Sequence, residues 1–467
     1  MIPSPPSSAR VFDRPIFWIL LFAVYAFVQG AIRHHYKTTL FGDDSELFLW
    51  ARTLDWGYGV QPPLYAWGQW LVNRVFGESI LSITVMRSVC LFGLYAAGYL
   101  MARRYASPRL AGFAALGLFL IPEIAQTFLR TRTHNLLVTA MVPLATLAFL
   151  DLCQRQRLGD YLRFGVLTAL AILAKATGAI FLVALILAGL MRPESRQAVL
   201  TKRMGLALLL LIVLCAGTVI WSLSNAAIAT ASLSKFQPGG GWTTGLLSLG
   251  RATVDSGGFV AAAVGLTVLL TRRGESLPPE TAILWRAGVL SVLLIALGVI
   301  FADAAEIKER WMVPVVAPLT PVALVWCFQR LGRFRFLPAV LGGLSAILQL
   351  ALLPGYYERK EPVPRADYAA LAAELRATGA TQMWLPDDMA AGLAIASPGI
   401  PVGQRVDRGL LPCEGTVLLA VWPDFDPALE AFRQRLPGCV VTEAASGTAS
   451  SGGPPVQYWV FTLTPAG

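Results

Sequence analysis

The sequence predicts an all-α polytopic membrane domain of about 11 crossings followed by a small soluble α/β domain, and three observations predict it. First, the 467 residues are 55% hydrophobic and only 14% charged, and the apolar residues gather into runs about 20 long instead of recurring at amphipathic spacing. Second, Lys and Arg fall in short clusters between those runs, as the positive-inside rule requires. Third, the long runs stop near Gly355, and the residues beyond it have the mixed periodicity of a soluble fold.

Runs at roughly residues 15–34, 81–102, 110–127, 135–153, 204–223, 257–271, 282–301, 312–329 and 336–354 read as single spans. Arg10 and Arg14 precede the first and no small-residue cleavage motif comes after it, which predicts an uncleaved signal anchor with a cytoplasmic N-terminus. Arg103, Arg104 and Arg109, Arg155, Arg157 and Arg163, Arg272 and Arg273, and Arg330, Arg333 and Arg335 then all fall on the cytoplasmic side. Residues 161–191 are too many for one crossing of a ~30 Å core and have positive flanks at both ends. Like-signed flanks require an even number of crossings, so this stretch predicts a hairpin of two short helices turning near Lys175, at the periplasmic edge. The odd total places the tail outside.

In the tail, Tyr368, Leu371, Ala372 and Leu375 recur at helical spacing, while residues 417–421 and 458–461 are short apolar runs bounded by Gly and Pro, as strands are. This gives two domains, residues 1–354 in the membrane and 355–467 in the periplasm. Cys90, Cys153, Cys215 and Cys327 lie in or at the ends of spans and read as packing residues. Cys413 and Cys439 are the pair in the exported tail, where an oxidising compartment predicts a disulfide. No zinc-type cysteine spacing, phosphate-binding loop or dinucleotide fingerprint occurs, so no metal or cofactor is expected. The formal charge of +10 is spent in the loop clusters, which leaves no basic stripe for a nucleic acid.

Ionisable residues outside the cytoplasmic loops carry the functional information in a membrane protein. The first periplasmic loop, residues 35–80, holds Asp43, Asp44 and Glu46, an aromatic stretch with Trp50, Trp56 and Tyr58, then Gln61-Pro62-Pro63-Leu64-Tyr65, Trp67 and Trp70. Trp and Tyr at such density suit segments lying in the membrane interface.

This order of acidic pair, Trp-rich stretch and Pro-Pro-Leu turn resembles the first periplasmic loop of the GT-C glycosyltransferases. That superfamily contains the protein O-mannosyltransferases, the lipid A aminoarabinose transferases and the rhizobial lipopolysaccharide-core galacturonosyltransferases. The resemblance is strongest from Asp43 to Phe76. It continues more loosely to about Pro321 through Pro122-Glu123, Arg132-Thr133-His134-Asn135, residues 173–177, and Glu309-Arg310-Trp311-Met312 with Pro314 and Pro318.

The resemblance implies that the first acidic residue after the first span, Asp43, is the general base. Asp44 stands where relatives more often carry Glu, which leaves open which of the two carboxylates faces the acceptor. Many relatives carry Asp where this chain has Thr133-His134-Asn135. A sugar on a polyprenyl phosphate is already activated, so the enzyme needs a carboxylate to take the acceptor's proton and cations to hold the leaving phosphate. Periplasmic cations run against the topological bias, which marks Lys175, Arg310, Arg132, Lys308 and Arg130 for that task. Glu46, Trp50, Gln61, Glu123 and His134 are the expected contacts to sugar or acceptor.

The expected function is inverting transfer of a sugar from a polyprenyl-phosphate-linked donor to a lipopolysaccharide, glycolipid or other surface acceptor at the periplasmic face of the bacterial inner membrane. The alternative is a transporter or flippase of lipid-linked sugars. It would call for internal repeats and midplane ionisable residues in matching halves, and the charges here gather instead in one loop and at one face.

Overall fold

The computed structural model describes residues 9–37, 39–271, 278–331, 336–359, 367–400, 402, 415–421, 436, 439–449 and 455–465. In chain order its principal helices are α1 (Pro15–Tyr36), α2 (Asp43–Trp50), α3 (Leu64–Phe76), α4 (Ile80–Arg103), α5 (Pro108–Ala115), α6 (His134–Arg155), α7 (Leu158–Ala174), α8 (Gly178–Leu190), α9 (Lys202–Ser224), α10 (Trp242–Leu270), α11 (Thr281–Phe301), α12 (Thr320–Arg330) and α13 (Leu337–Arg359). The tail adds α14 (Tyr368–Ala377), β1 (Gln382–Trp384), α15 (Asp387–Ala396), β2 (Gly415–Val421), β3 (Cys439–Ala449) and β4 (Val456–Pro465).

Among the described residues, α1, α4, α6, α9, α10, α11 and α13 are long and apolar enough to cross a membrane, 7 in all, or up to 9 if each of two bent pairs is one span. The protein is a multi-pass membrane protein. Its α9 leaves Leu209, Ile212, Val213 and Leu223 exposed, a face that only lipid can cover without cost. Length and composition do not reach the expected count of about 11, because α7 has 17 residues and α12 only 11. Proline is the cause at α12: Pro314, Pro318 and Pro321 divide the run expected at 312–329 into short helices. Pro122 acts likewise on the run expected at 110–127, where Pro108–Leu120 and Glu123–Arg130 meet at 86°.

Another correction concerns α10, which begins at Trp242 and not near residue 257. Arg251 and Asp255 interrupt the apolar run without interrupting the helix, and the Trp242 N–H at its start donates to Asp303 Oδ1 at 2.8 Å.

Helices α7 and α8 form the hairpin that the flanking charges predict. A Cβ on Gly178 would meet Val138 near the start of α6, and one on Gly189 would meet Phe149 near its end, so α8 runs parallel to α6. Helix α7 follows α6 after a short connection and ends beside Gly178, so it runs antiparallel to both. Gly165 abuts Ala207, and Leu173 packs with Cys215, which lays α7 along α9. The reversal falls at Lys175, whose extended backbone ends α7. At the opposite end of α6, Arg104 and Arg163 pair with Asp151 at 2.7 and 3.1 Å, so arginines from separate expected cytoplasmic loops meet at one end.

The chain divides into two compact units. One comprises Met1–Gly30, Asp55–Tyr65 and Arg87–Leu352, and the other comprises Ala31–Leu54, Ala66–Met86 and Leu353–Gly467. In the second unit the strands form one sheet in the order β1-β2-β4-β3, with β1 parallel to β2 and the other pairs antiparallel. Trp384, Val417, Leu419, Phe461 and Leu463 form its core. Asp367 caps α14 by accepting from the Ala369 and Ala370 N–H groups at 3.1 and 3.0 Å. Helix α15 of the tail packs against α2 of the first loop. Cys439 is disulfide-bonded; its expected partner, Cys413, lies outside the described residues. Cys90, Cys153, Cys215 and Cys327 are free.

Candidate active site

The acidic pair opens α2. Gly42 takes φ +58, a left-handed value that suits glycine, and turns the chain so that Asp43, Asp44 and Glu46 occupy the first turn, where the helix dipole favours negative charge. The Ser45 hydroxyl donates back to the Gly42 carbonyl at 2.9 Å and closes the turn. The two aspartates then part company. Asp44 is fully buried, and its Oδ2 accepts from Arg33 Nη2 at 2.5 Å and Lys37 Nζ at 2.9 Å. Arg33 reaches the Tyr357 hydroxyl as well, at 3.4 Å, and Lys37 sits over the Phe41 ring at 4.3 Å. Asp43 is half-buried, as are Glu46 and Trp50 on the same helix.

A carboxylate held by two buried cations is fixed in place, which suits a structural clamp. Asp43 is the half-buried carboxylate of the pair. Arg33 and Lys37 are not singled out by the sequence because they look like the polar end of the first span. Their signal is two cations four residues apart, the second six positions before an acidic pair.

In the other unit the remaining candidates concentrate at the end of the helix group where α7 turns into α8. Lys175, half-buried, stands at the turn, and His134 opens α6 at the same end. His134 is buried with its ring edge-on to Tyr65, centroids 5.5 Å apart. Arg132 lies in the approach to α6, which is held by a buried arginine that sequence reasoning did not single out. Arg87 Nη1 donates to the Phe128 and Arg132 carbonyls at 2.8 Å each. Glu123 is buried after Pro122 and interacts with Arg132 and with Glu309. Arg130 donates to Gln349 Oε1 at 3.3 Å. Gln61 is fixed by its backbone, which exchanges two 3.0 Å hydrogen bonds with Tyr58, and Trp56 beside this turn covers Gly217 of α9.

Lys308 and Arg310 flank Glu309 in the connection after α11. Lys308 pairs with Glu306 at 3.4 Å, and the Arg310 guanidinium lies 5.8 Å from the Trp311 ring centre. Both line an open cavity of about 430 Å³. No group of three or more His, Cys, Asp or Glu side chains is placed to hold a metal ion among the described residues. The second unit holds the half-buried Asp43, and the first holds Lys175, Arg132, Lys308 and Arg310.

A family model for dolichyl-phosphate-mannose-protein mannosyltransferases matches residues 60–221. The chain is 28% identical over 456 residues to the lipopolysaccharide core galacturonosyltransferase RgtB of Rhizobium johnstonii, covering 91% of this chain and 87% of that one. RgtA of the same organism, also a lipopolysaccharide core galacturonosyltransferase, is 26% identical over 82% of this chain and 83% of its own, and its lipid A galacturonosyltransferase RgtD is 24% identical over 81% and 85%. Among solved structures, ArnT from Cupriavidus metallidurans in its apo state matches with a TM-score of 0.59 at 14% identity, covering 95% of this chain and 97% of that one. Its undecaprenyl phosphate-bound form gives the same score over 95% and 98%. The ArnT likeness shows a shared fold over 95% of this chain. Family model, relatives and fold converge on the GT-C superfamily of glycosyltransferases, whose first loop this chain resembles.

Proposed function

We propose that the protein is an inverting glycosyltransferase that moves a sugar from a polyprenyl-phosphate donor to a lipopolysaccharide or other glycolipid at the periplasmic face of the inner membrane. One observation carries this reading: the match to a lipopolysaccharide core galacturonosyltransferase runs over 91% of the chain. Galacturonic acid is therefore the first sugar to test.

In this reading Asp43 takes the proton from the acceptor hydroxyl as its oxygen attacks the anomeric carbon. The bond from that carbon to the phosphate oxygen breaks, the configuration inverts, and polyprenyl phosphate leaves with the bonding pair. Lys175 stabilises the negative charge that grows on the phosphate, with Arg132, Lys308 and Arg310 as further cations. Glu46, Trp50, Gln61, Glu123 and His134 contact sugar or acceptor. Counting α7 and the 313–330 pair as crossings beside the nine brings the total to 11, with residues 355–467 in the periplasm, where Cys413 and Cys439 form the disulfide. The flippase alternative has no observation in its favour.

Mass spectrometry of lipid A, core and O-polymer from a deletion strain tests the proposal. Loss of one sugar residue, restored by the wild-type gene and not by Asp43→Asn, is the expected result. An unchanged glycan profile overturns it.

A further inference from the structure

We infer that the cavity between α10 and the connection after α11 is a binding subsite for an anionic saccharide, and that Arg251 and Asp255 are its recognition residues. The inference rests on the glycosyltransferase reading and deepens it. Arg251 and Asp255 are the only ionisable residues in the 29 residues of α10, and both line the cavity. A crossing of about 20 residues counted back from Leu270 reaches Arg251 and takes in Asp255. That count puts Arg251 at the edge of the crossing and Asp255 one turn inside it, where an ionisable group is costly and marks a site of function.

The opposite wall is built to stay in place. The Ser248 hydroxyl donates to the Ile307 carbonyl at 3.1 Å and accepts from the Ile307 N–H at 3.0 Å, and the Ser256 hydroxyl donates to the Glu309 carbonyl at 2.9 Å. Two serines two turns apart thus pin the connection on either side of Arg251 and Asp255. Such pinning holds Lys308, Glu309 and Arg310 facing α10 before any ligand arrives.

The lining selects the ligand class. At about 430 Å³ the cavity is in the range of small-molecule sites, roughly 300 to 1,000 Å³. Its walls are mostly charged, which excludes a prenyl chain. Cations that only donate stand beside carboxylates that accept, and a sugar's hydroxyls do both. The planar fork of Arg251 or Arg310 adds a seat for a carboxylate or phosphate on the ring.

Saturation-transfer NMR on the full-length protein in nanodiscs tests this with four probes: glucuronate, glucose 6-phosphate, methyl glucoside and inorganic phosphate. Either anionic sugar, or both, should bind at least about tenfold more tightly than methyl glucoside or inorganic phosphate. Which of them does so tells whether the ring carries carboxylate or phosphate. Arg251→Gln should weaken that binding roughly 10- to 100-fold, and Arg251→Lys should weaken it less, because charge without the fork remains. Should Arg251→Gln fail to fold by its melting curve, Asp255→Asn carries the test with the same threshold. Equal binding of inorganic phosphate, or wild-type binding in both Arg251→Gln and Asp255→Asn, overturns the inference. Asp43→Asn separates the two readings: normal transfer in that variant sinks the catalytic proposal whatever the cavity binds. A dead Asp43→Asn with saccharide binding insensitive to Arg251 sinks only the subsite.

Discussion

Lys37 Nζ lies 2.9 Å from Asp44 Oδ2, with neither side chain exposed, and Arg33 meets the same oxygen. A first-loop carboxylate is thereby committed to holding α2 against the end of α1, and the neighbouring Asp43 stands one residue before it on the same helical turn.

This difference makes the two aspartates separable by stability. Asp44→Asn leaves two buried cations without their anion and should cost about 3–5 kcal/mol. Asp43→Asn should change stability by no more than about 0.5 kcal/mol. Unfolding of both variants in the same detergent measures the gap, and equal melting would remove the clamp assigned to Asp44.

Lys175 should act on the donor. Lys175→Ala removes a charge-assisted contact and should weaken polyprenyl phosphate binding roughly 10- to 100-fold, with Lys175→Arg intermediate. Binding of undecaprenyl phosphate to the purified variants reports this directly. Wild-type affinity in Lys175→Ala would move the phosphate to Arg132, Lys308 or Arg310.

The hairpin has a topological consequence. A reporter fused after Arg196 should be cytoplasmic and one fused after Asp367 periplasmic, because the Lys and Arg clusters orient both. A periplasmic signal after Arg196 would contradict an α7–α8 hairpin with two positive flanks.

Cys439 should resist maleimide in the extracted protein until a reductant is added. In Cys413→Ser it should label without reduction. Labelling of Cys439 in the untreated wild type would exclude the disulfide.

The hairpin was legible because it was written in charge: positive flanks at both ends of residues 161–191 admit no single crossing. Helix α2 was legible only as part of an interfacial loop, from the density of Trp and Tyr around it. The features that escaped were decided by tertiary contact. Arg33 and Lys37 look like a span's polar end until Asp44 is seen to fold back onto them. Arg251 and Asp255 stopped the hydropathy run at residue 257, although the helix continues to Trp242, since backbone hydrogen bonding is indifferent to side-chain polarity. Strand β3 (Cys439–Ala449) is largely exposed and small-residue rich, so it shows no alternation, and its pairing with β4 is the interaction that makes it a strand.

The most direct measurement is turnover of purified Asp43→Asn with a polyprenyl-phosphate sugar and lipopolysaccharide acceptor, alongside its affinity for undecaprenyl phosphate. The amide keeps the shape of the side chain but cannot take the acceptor's proton. Transfer should fall by roughly 10²- to 10⁴-fold while carrier binding and melting temperature hold. Turnover within a few-fold of wild type would contradict Asp43 as the general base, and with it the mechanism proposed for this protein.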